Sequence, residues 1–222
     1  MPQAPPPPLP GPGCAQIAAE AALAELQALL VAFQTLPRSH PHRVHAAFIE
    51  LYLCSTRHWL DRLQDRPHPA LAHRVIVGFL ALYKQQVLPM LDAEPRRAAA
   101  HWRPYLRFAR HQATRGSALA ELVLVALGAW AHIRGDLGRA ISTAAFGKGG
   151  LDRTDLETMF GPLSDAAFLA ATQEFFHRRI ARAQGPRQAG LRAQWRLIAP
   201  LAPLWLPLFQ LCRRLSYRAC TA

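Results

Sequence analysis

A histidine and an aspartate lie four residues apart in the most apolar part of this 222-residue chain. They are His132 and Asp136, in the segment 131–137. On a helix, residues four apart share a face, so the imidazole and the carboxylate can reach the same small volume. A carboxylate that orients an imidazole also raises its basicity, which makes His132 a candidate general base. The same pair could instead bind a divalent metal ion through a nitrogen and an oxygen.

A structural role for the pair is the competing interpretation. Asp136 could pair with Arg134 or Arg139, and His132 could donate to a backbone carbonyl of the next helix. Either arrangement would satisfy polar groups that are costly to bury in an apolar bundle. The spacing alone leaves both interpretations open.

A complete metal site would need ligands from other helices. Glu121 shares nearly the same face as His132, but eleven residues at about 1.5 Å each place it about 16 Å away along the axis. No second pair repeats the Glu-x-x-His spacing of di-iron bundles, which disfavours that class. The remaining candidate ligands are Glu50, His58, Asp61, His101 and His111.

Two hydroxyl groups in the segment 48–56 could line a pocket beside this pair. Tyr52 and Thr56 are four residues apart, so they share a helix face. We predict them as secondary residues of a substrate pocket. In the alternative interpretation, Tyr52 packs in the core and Thr56 bonds back to its own helix.

Several enzyme classes have no motif in the sequence. There is no P-loop, GxGxxG, GxSxG or HExxH, so nucleotide-binding, dinucleotide-binding, serine-hydrolase and zincin functions have no motif support. The four cysteines form no CxxC pair, which disfavours a structural zinc site. We expect reduced thiols in a cytoplasmic protein.

The periodicity of apolar residues predicts helices throughout. Ser117 is the predicted N-cap of a helix from 118 to about 146, apolar on nearly every side and therefore expected at the centre of a bundle. Thr154 and Glu157 fit a capping box for a short helix, and Ser164 is the predicted N-cap of the next. Strand signals are weak. The predicted fold is all-α, an irregular bundle of about seven helices around the central helix.

The domain organisation follows from composition. Residues 1–13 are Pro-rich and are predicted to be a disordered tail, and 14–222 is predicted to be a single helical domain. Within it, 186–222 is a basic segment interrupted by prolines. The sequence does not indicate the oligomeric state.

Positive charge is concentrated towards the C-terminus. The net charge is +12, and nine arginines but no acidic residue follow Glu174. Such a segment attracts anionic partners, although scattered arginines are also typical of a solvated surface. Nucleic-acid binding is disfavoured because the chain lacks both an aromatic and basic stacking platform and a recognisable reading helix.

The C-terminal segment provides the second functional hypothesis. Its apolar run, 197–211, is shorter than the roughly 20 residues of a membrane-spanning helix and contains three prolines. It could lie in the interface of an anionic membrane, with Trp205 and Phe209 inserted. Alternatively, it covers the core. If the segment does not cover the core, the second hypothesis is that the protein is non-catalytic and docks on a membrane or an acidic partner.

Three motifs are considered together: Phe48-x-x-Leu51-Tyr52-x-x-x-Thr56, Trp102-x-Pro104 and Ala131-His132-Ile133-x-x-Asp136-Leu137 with Ala140. This combination resembles an uncharacterised bacterial family of all-helical proteins, whose signature is Ala-His-Ile-x-x-Asp-Leu. The resemblance covers roughly 44–141 and departs from the family at Trp130, where Asn is common, and at Gly138, where Pro is usual. It implies an all-helical fold and favours His132 and Asp136 as the site, but it implies no reaction.

The leading hypothesis is a small-molecule enzyme or ligand-binding bundle. His132 and Asp136 are the predicted catalytic residues, or the metal ligands if a divalent metal is the cofactor. Tyr52 and Thr56 complete the predicted pocket.

Overall fold

The chain folds into helices that pack against one another. The computed structural model describes residues 12–63, 69–112, 117–145 and 153–221, and these ranges contain helices and no strands. The α-helices are α1 Pro12–Thr35, α2 Ala46–Leu63, α3 Pro69–Gln86, α4 Arg103–Gln112, α5 Ala118–Ala131, α6 Leu137–Ala144, α7 Arg153–Arg182, α8 Gly185–Ile198 and α9 Ala202–Thr221.

A π-helical turn, His132–Asp136, joins α5 to α6 without a break. The two therefore form one long helix, and the described ranges hold eight helices in all. Short 3-10 turns connect some of the others. The predicted all-α bundle of about seven helices is confirmed.

The long helix begins where the sequence predicts. The Ser117 hydroxyl accepts a hydrogen bond from the N–H of Ala120, which is the N-cap arrangement. The helix ends at Ala144, and the last predicted position, 146, lies outside the described residues, as does most of the predicted tail 1–13.

The long helix is central in its contacts but keeps one face in solvent. It packs against α2, α3, α4, α8 and α9. Leu124, Ala131 and Ile141 are buried, whereas Leu119 and Trp130 are exposed. The long helix therefore carries more apolar residues than the bundle buries. The sequence pattern did not indicate that one face is exposed.

Helix α7 is continuous where the sequence predicts two helices. Ser164 is buried inside it and is not an N-cap, and Pro162 also lies within it. A proline in a helix removes one backbone hydrogen bond. An apolar stripe that continues through the proline offsets this cost. The stripe consists of Leu156, Phe160, Leu163, Ala167 and Ala171, all buried.

The C-terminal helices cover the core. Phe209 stacks on Phe168 with ring centroids 4.0 Å apart, and Trp205 packs edge-on against the same ring at 5.3 Å. Tyr217 is fully buried. The expectation that Trp205 and Phe209 insert into a membrane is therefore not supported, because both rings pack on the protein's own α7.

Length and composition allow one described helix to cross a membrane. The segment Gly13–Thr35 passes this test, and the bent pair Gly185–Leu201 and Trp205–Arg218 passes it jointly. Core helices of soluble proteins pass the same test. In α1, Ala19, Leu26 and Leu30 are buried in the bundle core, and the helix packs against α2 and α3.

Candidate functional site

The candidate site is built on the π-helical turn. Here the N–H of Leu137 donates to the carbonyl of His132, five residues back instead of four. Single π-turns within α-helices are frequent at functional sites. The hydroxyl of Ser216, on α9, contacts the carbonyl of Ile133 and lies 3.2 Å from that of Arg134. Helix α9 therefore supports the irregular turn.

Asp136 is the centre of a buried hydrogen-bond network. Its side chain is fully buried and accepts from donors on three separate segments of the chain. One oxygen, Oδ2, accepts from His132 Nδ1 at 2.9 Å and from Trp102 Nε1 at 3.0 Å. The other, Oδ1, accepts from His101 Nε2 at 2.9 Å and from Gln86 Nε2 at 3.2 Å.

These hydrogen bonds keep Asp136 ionised. Burial acts to raise the pKa of the carboxyl, but hydrogen bonds from His101 and His132, and their favourable electrostatic interaction, outweigh it and lower the pKa to about 2. An ionised carboxylate can only accept hydrogen bonds. His132 therefore carries its proton on Nδ1, and Nε2 presents a lone pair.

His132 is a neutral, buried base. Burial lowers its pKa, and Asp136 compensates for this only in part. Its ring stacks on Phe79 with centroids 3.5 Å apart and meets Tyr52 edge-on at 4.6 Å. These contacts and the bond to Asp136 hold the ring in one orientation. Nε2 is buried and has no hydrogen-bond partner among the described residues.

A cavity of about 90 Å3 lies beside His132. Tyr52, Thr56 and Ser164 contribute to its lining, which is otherwise mostly apolar. The hydroxyls of Tyr52 and Ser164 are also buried without partners among the described residues. Burial, and secondarily the charge of Asp136, raises the pKa of Tyr52 well above its usual value, so its phenol stays protonated.

The cavity is small enough to restrict its occupant. Pockets for drug-sized ligands are typically about 300–1,000 Å3, and a cavity of about 150 Å3 accommodates benzene. The His132 cavity therefore holds a group of a few non-hydrogen atoms. Buried polar atoms without partners are costly, so a ligand that bonds to them would be stabilised.

The structure brings together the four predicted site residues. His132 and Asp136 are in direct contact, and Tyr52 and Thr56 line the same cavity as His132. The alternative ion pairs of Asp136 with Arg134 or Arg139 are not formed among the described residues. Instead, its partners are two histidines, an indole and an amide.

Other candidate ligands lie elsewhere, with one exception. His101 contacts Asp136, but Glu50 pairs with arginines of α7 and His58 pairs with Glu174. Asp61 and His111 are exposed. Trp102 and Gln86, which also bond to Asp136, were not among the predicted site residues. Both are separated from Asp136 by more than thirty residues, and no local pattern connects them.

The residues that the structure describes provide no ligand set for a divalent metal at this site. The described ranges contain no group of three or more His, Cys, Asp or Glu side chains that could hold one. His132 Nδ1 and Asp136 Oδ2 are bonded to each other, so they cannot chelate an ion without breaking that bond. His132 Nε2 alone would supply a single ligand.

No family model, curated protein or solved structure matches this chain. The resemblance to the family with the Ala-His-Ile-x-x-Asp-Leu signature therefore stays an expectation. The geometry and chemistry of the His132 site become the basis for proposing a function.

Gly135 lets His101 approach the network. A Cβ added at this position would lie 2.1 Å from the His101 ring, well inside van der Waals contact. We expect Gly135→Ala to displace His101 from Asp136 and to lower the free energy of unfolding by about 1–3 kcal/mol. Urea denaturation would measure this change.

Gly78→Ala in α3 is the matched control. Its added Cβ would lie 3.7 Å from the nearest atoms, which is an ordinary contact. Because alanine favours helix over glycine by about 1 kcal/mol, this variant should be as stable as the wild type or more stable. Equal losses in the two variants would show that His101 does not require Gly135.

Proposed function

We propose that this protein is a small-molecule enzyme in which His132 acts as a general base. The observation that carries the proposal is the lone pair of His132 Nε2, which is buried, unpartnered among the described residues and located at a cavity. Asp136 holds the opposite nitrogen. A base held in one tautomer by a carboxylate is a recurring arrangement in enzymes.

The chemistry would be proton abstraction from a small, mostly apolar substrate or from a water beside it. Nε2 would take the proton at hydrogen-bond distance, and Asp136, which stays ionised, would stabilise the imidazolium that forms. The Tyr52 phenol, held protonated by burial, would donate to a substrate oxygen on which negative charge develops. Ser164 would position the same group.

Small ketones and esters test this proposal. Molecules of about four non-hydrogen atoms suit the cavity volume, since benzene, with six, needs about 150 Å3. We expect the protein to accelerate exchange of the α-hydrogens of such a ketone for deuterium in D2O, or hydrolysis of such an ester, above the rate in buffer. NMR would follow both reactions, with a chelator present to exclude adventitious metal.

Measurements on the Tyr52→Phe variant distinguish a catalytic cavity from one that only binds a ligand. Loss of the phenolic donor should slow the reaction and weaken binding of oxygen-bearing fragments, while hydrocarbons of the same size still bind. If oxygen-bearing and hydrocarbon fragments bound equally to both proteins and no exchange or hydrolysis occurred, the cavity would be a packing defect and the proposal would be wrong.

A second candidate function, docking on an anionic membrane, is favoured by exposed leucines near the C-terminus. Leu197 is 70% exposed and Leu208 is 60% exposed, and Leu201 and Leu211 are exposed too. The exposed residues Arg192, Arg196 and Arg218 form no ion pair with any described residue. Arg218 follows Leu211 by seven residues and so lies on the same face of α9.

A vesicle assay tests membrane docking. We expect salt-sensitive co-sedimentation with phosphatidylglycerol vesicles and none with phosphatidylcholine vesicles. A Leu208→Ser, Leu211→Ser variant should bind at least about tenfold more weakly, because burial of two leucines in the interface is lost. Ile17→Ser, which removes an exposed apolar residue of α1, is the control. Equal binding by the wild type, the double leucine variant and Ile17→Ser would show that this surface does not bind the membrane.

A further inference from the structure

A second concave region lies against a different face of α2 from the His132 cavity. It is a cleft of about 730 Å3 between the start of α2, the start of α5 and the junction of α7 with α8. Ala47 and Glu50 line this cleft, whereas Leu51 and Tyr52 line the cavity. Its volume is within the roughly 300–1,000 Å3 typical of small-molecule sites.

The cleft is strongly basic. Among the described residues, five arginines and two glutamates line it, which leaves an excess of three positive charges. A concave surface of one sign concentrates its field and attracts counter-charged ligands. The lining arginines are Arg38, Arg43, Arg179, Arg182 and Arg187, and the glutamates are Glu50 and Glu121.

Two glutamates form ion pairs with arginines that line the cleft. The side chain of Glu50 is 2% exposed and contacts Arg182 as well as Arg179, whose Nη1 lies 3.5 Å from Oε2. Glu121 contacts Arg179 and lies 3.1 Å from Arg187 Nη2. These ion pairs join α2, α5, α7 and α8. These ion pairs account for the two glutamates in the cleft, but not for the excess of arginines over glutamates.

The arginines retain donors for a ligand. Arg187 contacts Glu121 through Nη2, so its Nε and Nη1 hydrogens are not used in that ion pair. Arg38 is exposed at the cleft and forms no ion pair with a described residue. Arginine presents five N–H donors in a planar fork that matches the oxygens of a phosphate.

We propose that this cleft binds a small molecule that carries a phosphate or diphosphate group. A phosphate monoester has a charge of about −1.5 to −2 near neutral pH, which the excess positive charge of the cleft would compensate. The phosphate oxygens accept from Arg187 and Arg38, and the remaining volume holds the rest of the molecule. This site is separate from His132, so either proposal can fail without the other.

Calorimetric titration of the full chain tests the cleft. The probes are inorganic phosphate, pyrophosphate and glycerol 3-phosphate, at about 50 mM and about 300 mM salt, since salt screens exposed charges. We expect pyrophosphate to bind, and Arg187→Gln to weaken it by about tenfold, since a hydrogen bond to a charged group is lost. Arg38→Gln should weaken it by a smaller factor.

Arg192→Gln is the matched control, because it removes the same charge from the same helix outside the cleft. Its affinity for pyrophosphate should equal that of the wild type. Tighter binding of glycerol 3-phosphate than of inorganic phosphate would identify an organic phosphate as the ligand. Absence of binding to every probe, or equal weakening in all three arginine variants, would overturn the proposal.

Discussion

Asp136→Asn is expected to lower the free energy of unfolding by about 3–5 kcal/mol, because it disrupts a buried charged network. The four donors around Asp136 approach both of its oxygens in pairs. An amide has one oxygen, so its NH2 group would face one pair of donors. At least two hydrogen bonds would be lost, and buried N–H groups would be left without acceptors.

Asp61→Asn provides the control for this substitution. Asp61 is exposed on α2, so the same chemical change should alter stability by less than about 0.5 kcal/mol. Urea denaturation at neutral pH would measure both variants. A loss of less than about 1 kcal/mol for Asp136→Asn would contradict the hydrogen-bond network described for this carboxylate.

The difference between wild type and Asp136→Asn should also depend on pH. The carboxyl has a pKa of about 2 in the folded protein and of about 3.9 when unfolded. Its ionisation therefore contributes stability that is present above pH ~4 and is lost as the pH falls towards ~2, about 2–3 kcal/mol in all. The gap between the two proteins should narrow by that amount over this window.

His132→Gln is expected to reduce the rate of proton abstraction by about 10²- to 10⁴-fold, the usual contribution of a general base. Glutamine is polar and of similar size, but it is not basic. Asp136 keeps its other three donors in this variant. The variant should therefore remain folded, and the loss would be chemical rather than structural.

Deuterium exchange of a small ketone would measure this effect, with thermal unfolding as a check on folding. Phe79→Leu is a useful comparison, since it removes the ring stacked on His132 but keeps the base. Its rate should fall less than that of His132→Gln. If His132→Gln retained the wild-type rate, another group would be the base.

Local features of the sequence predicted which side chains lie together at the candidate site. The spacing of His132 and Asp136 placed their side chains on one face, and the spacing of Tyr52 and Thr56 did the same on α2. Ser117 marked the start of the long helix. Each of these predictions depends on residues within one or two helical turns, where the spacing along the chain determines the face on which a side chain lies.

The remaining partners depend on tertiary packing. His101, Trp102 and Gln86 reach Asp136 from separate segments, and nothing in their local sequence indicates it. The continuity of α7 was missed because Ser164 has a residue type typical of an N-cap, whereas burial of the apolar stripe outweighs the hydrogen bond lost at Pro162 and keeps one helix. The basic cleft likewise collects arginines from distant segments.

The protonation state of the two His132 ring nitrogens tests the general-base proposal most directly. NMR correlation of its two nitrogens with the ring protons, assigned by comparison with His132→Gln, reports which nitrogen carries hydrogen. We expect Nδ1 protonated and Nε2 unprotonated at neutral pH, with the ring still mostly neutral at pH ~6.5, because burial lowers its pKa. A proton on Nε2, or an imidazolium at neutral pH, would contradict a general base facing the cavity.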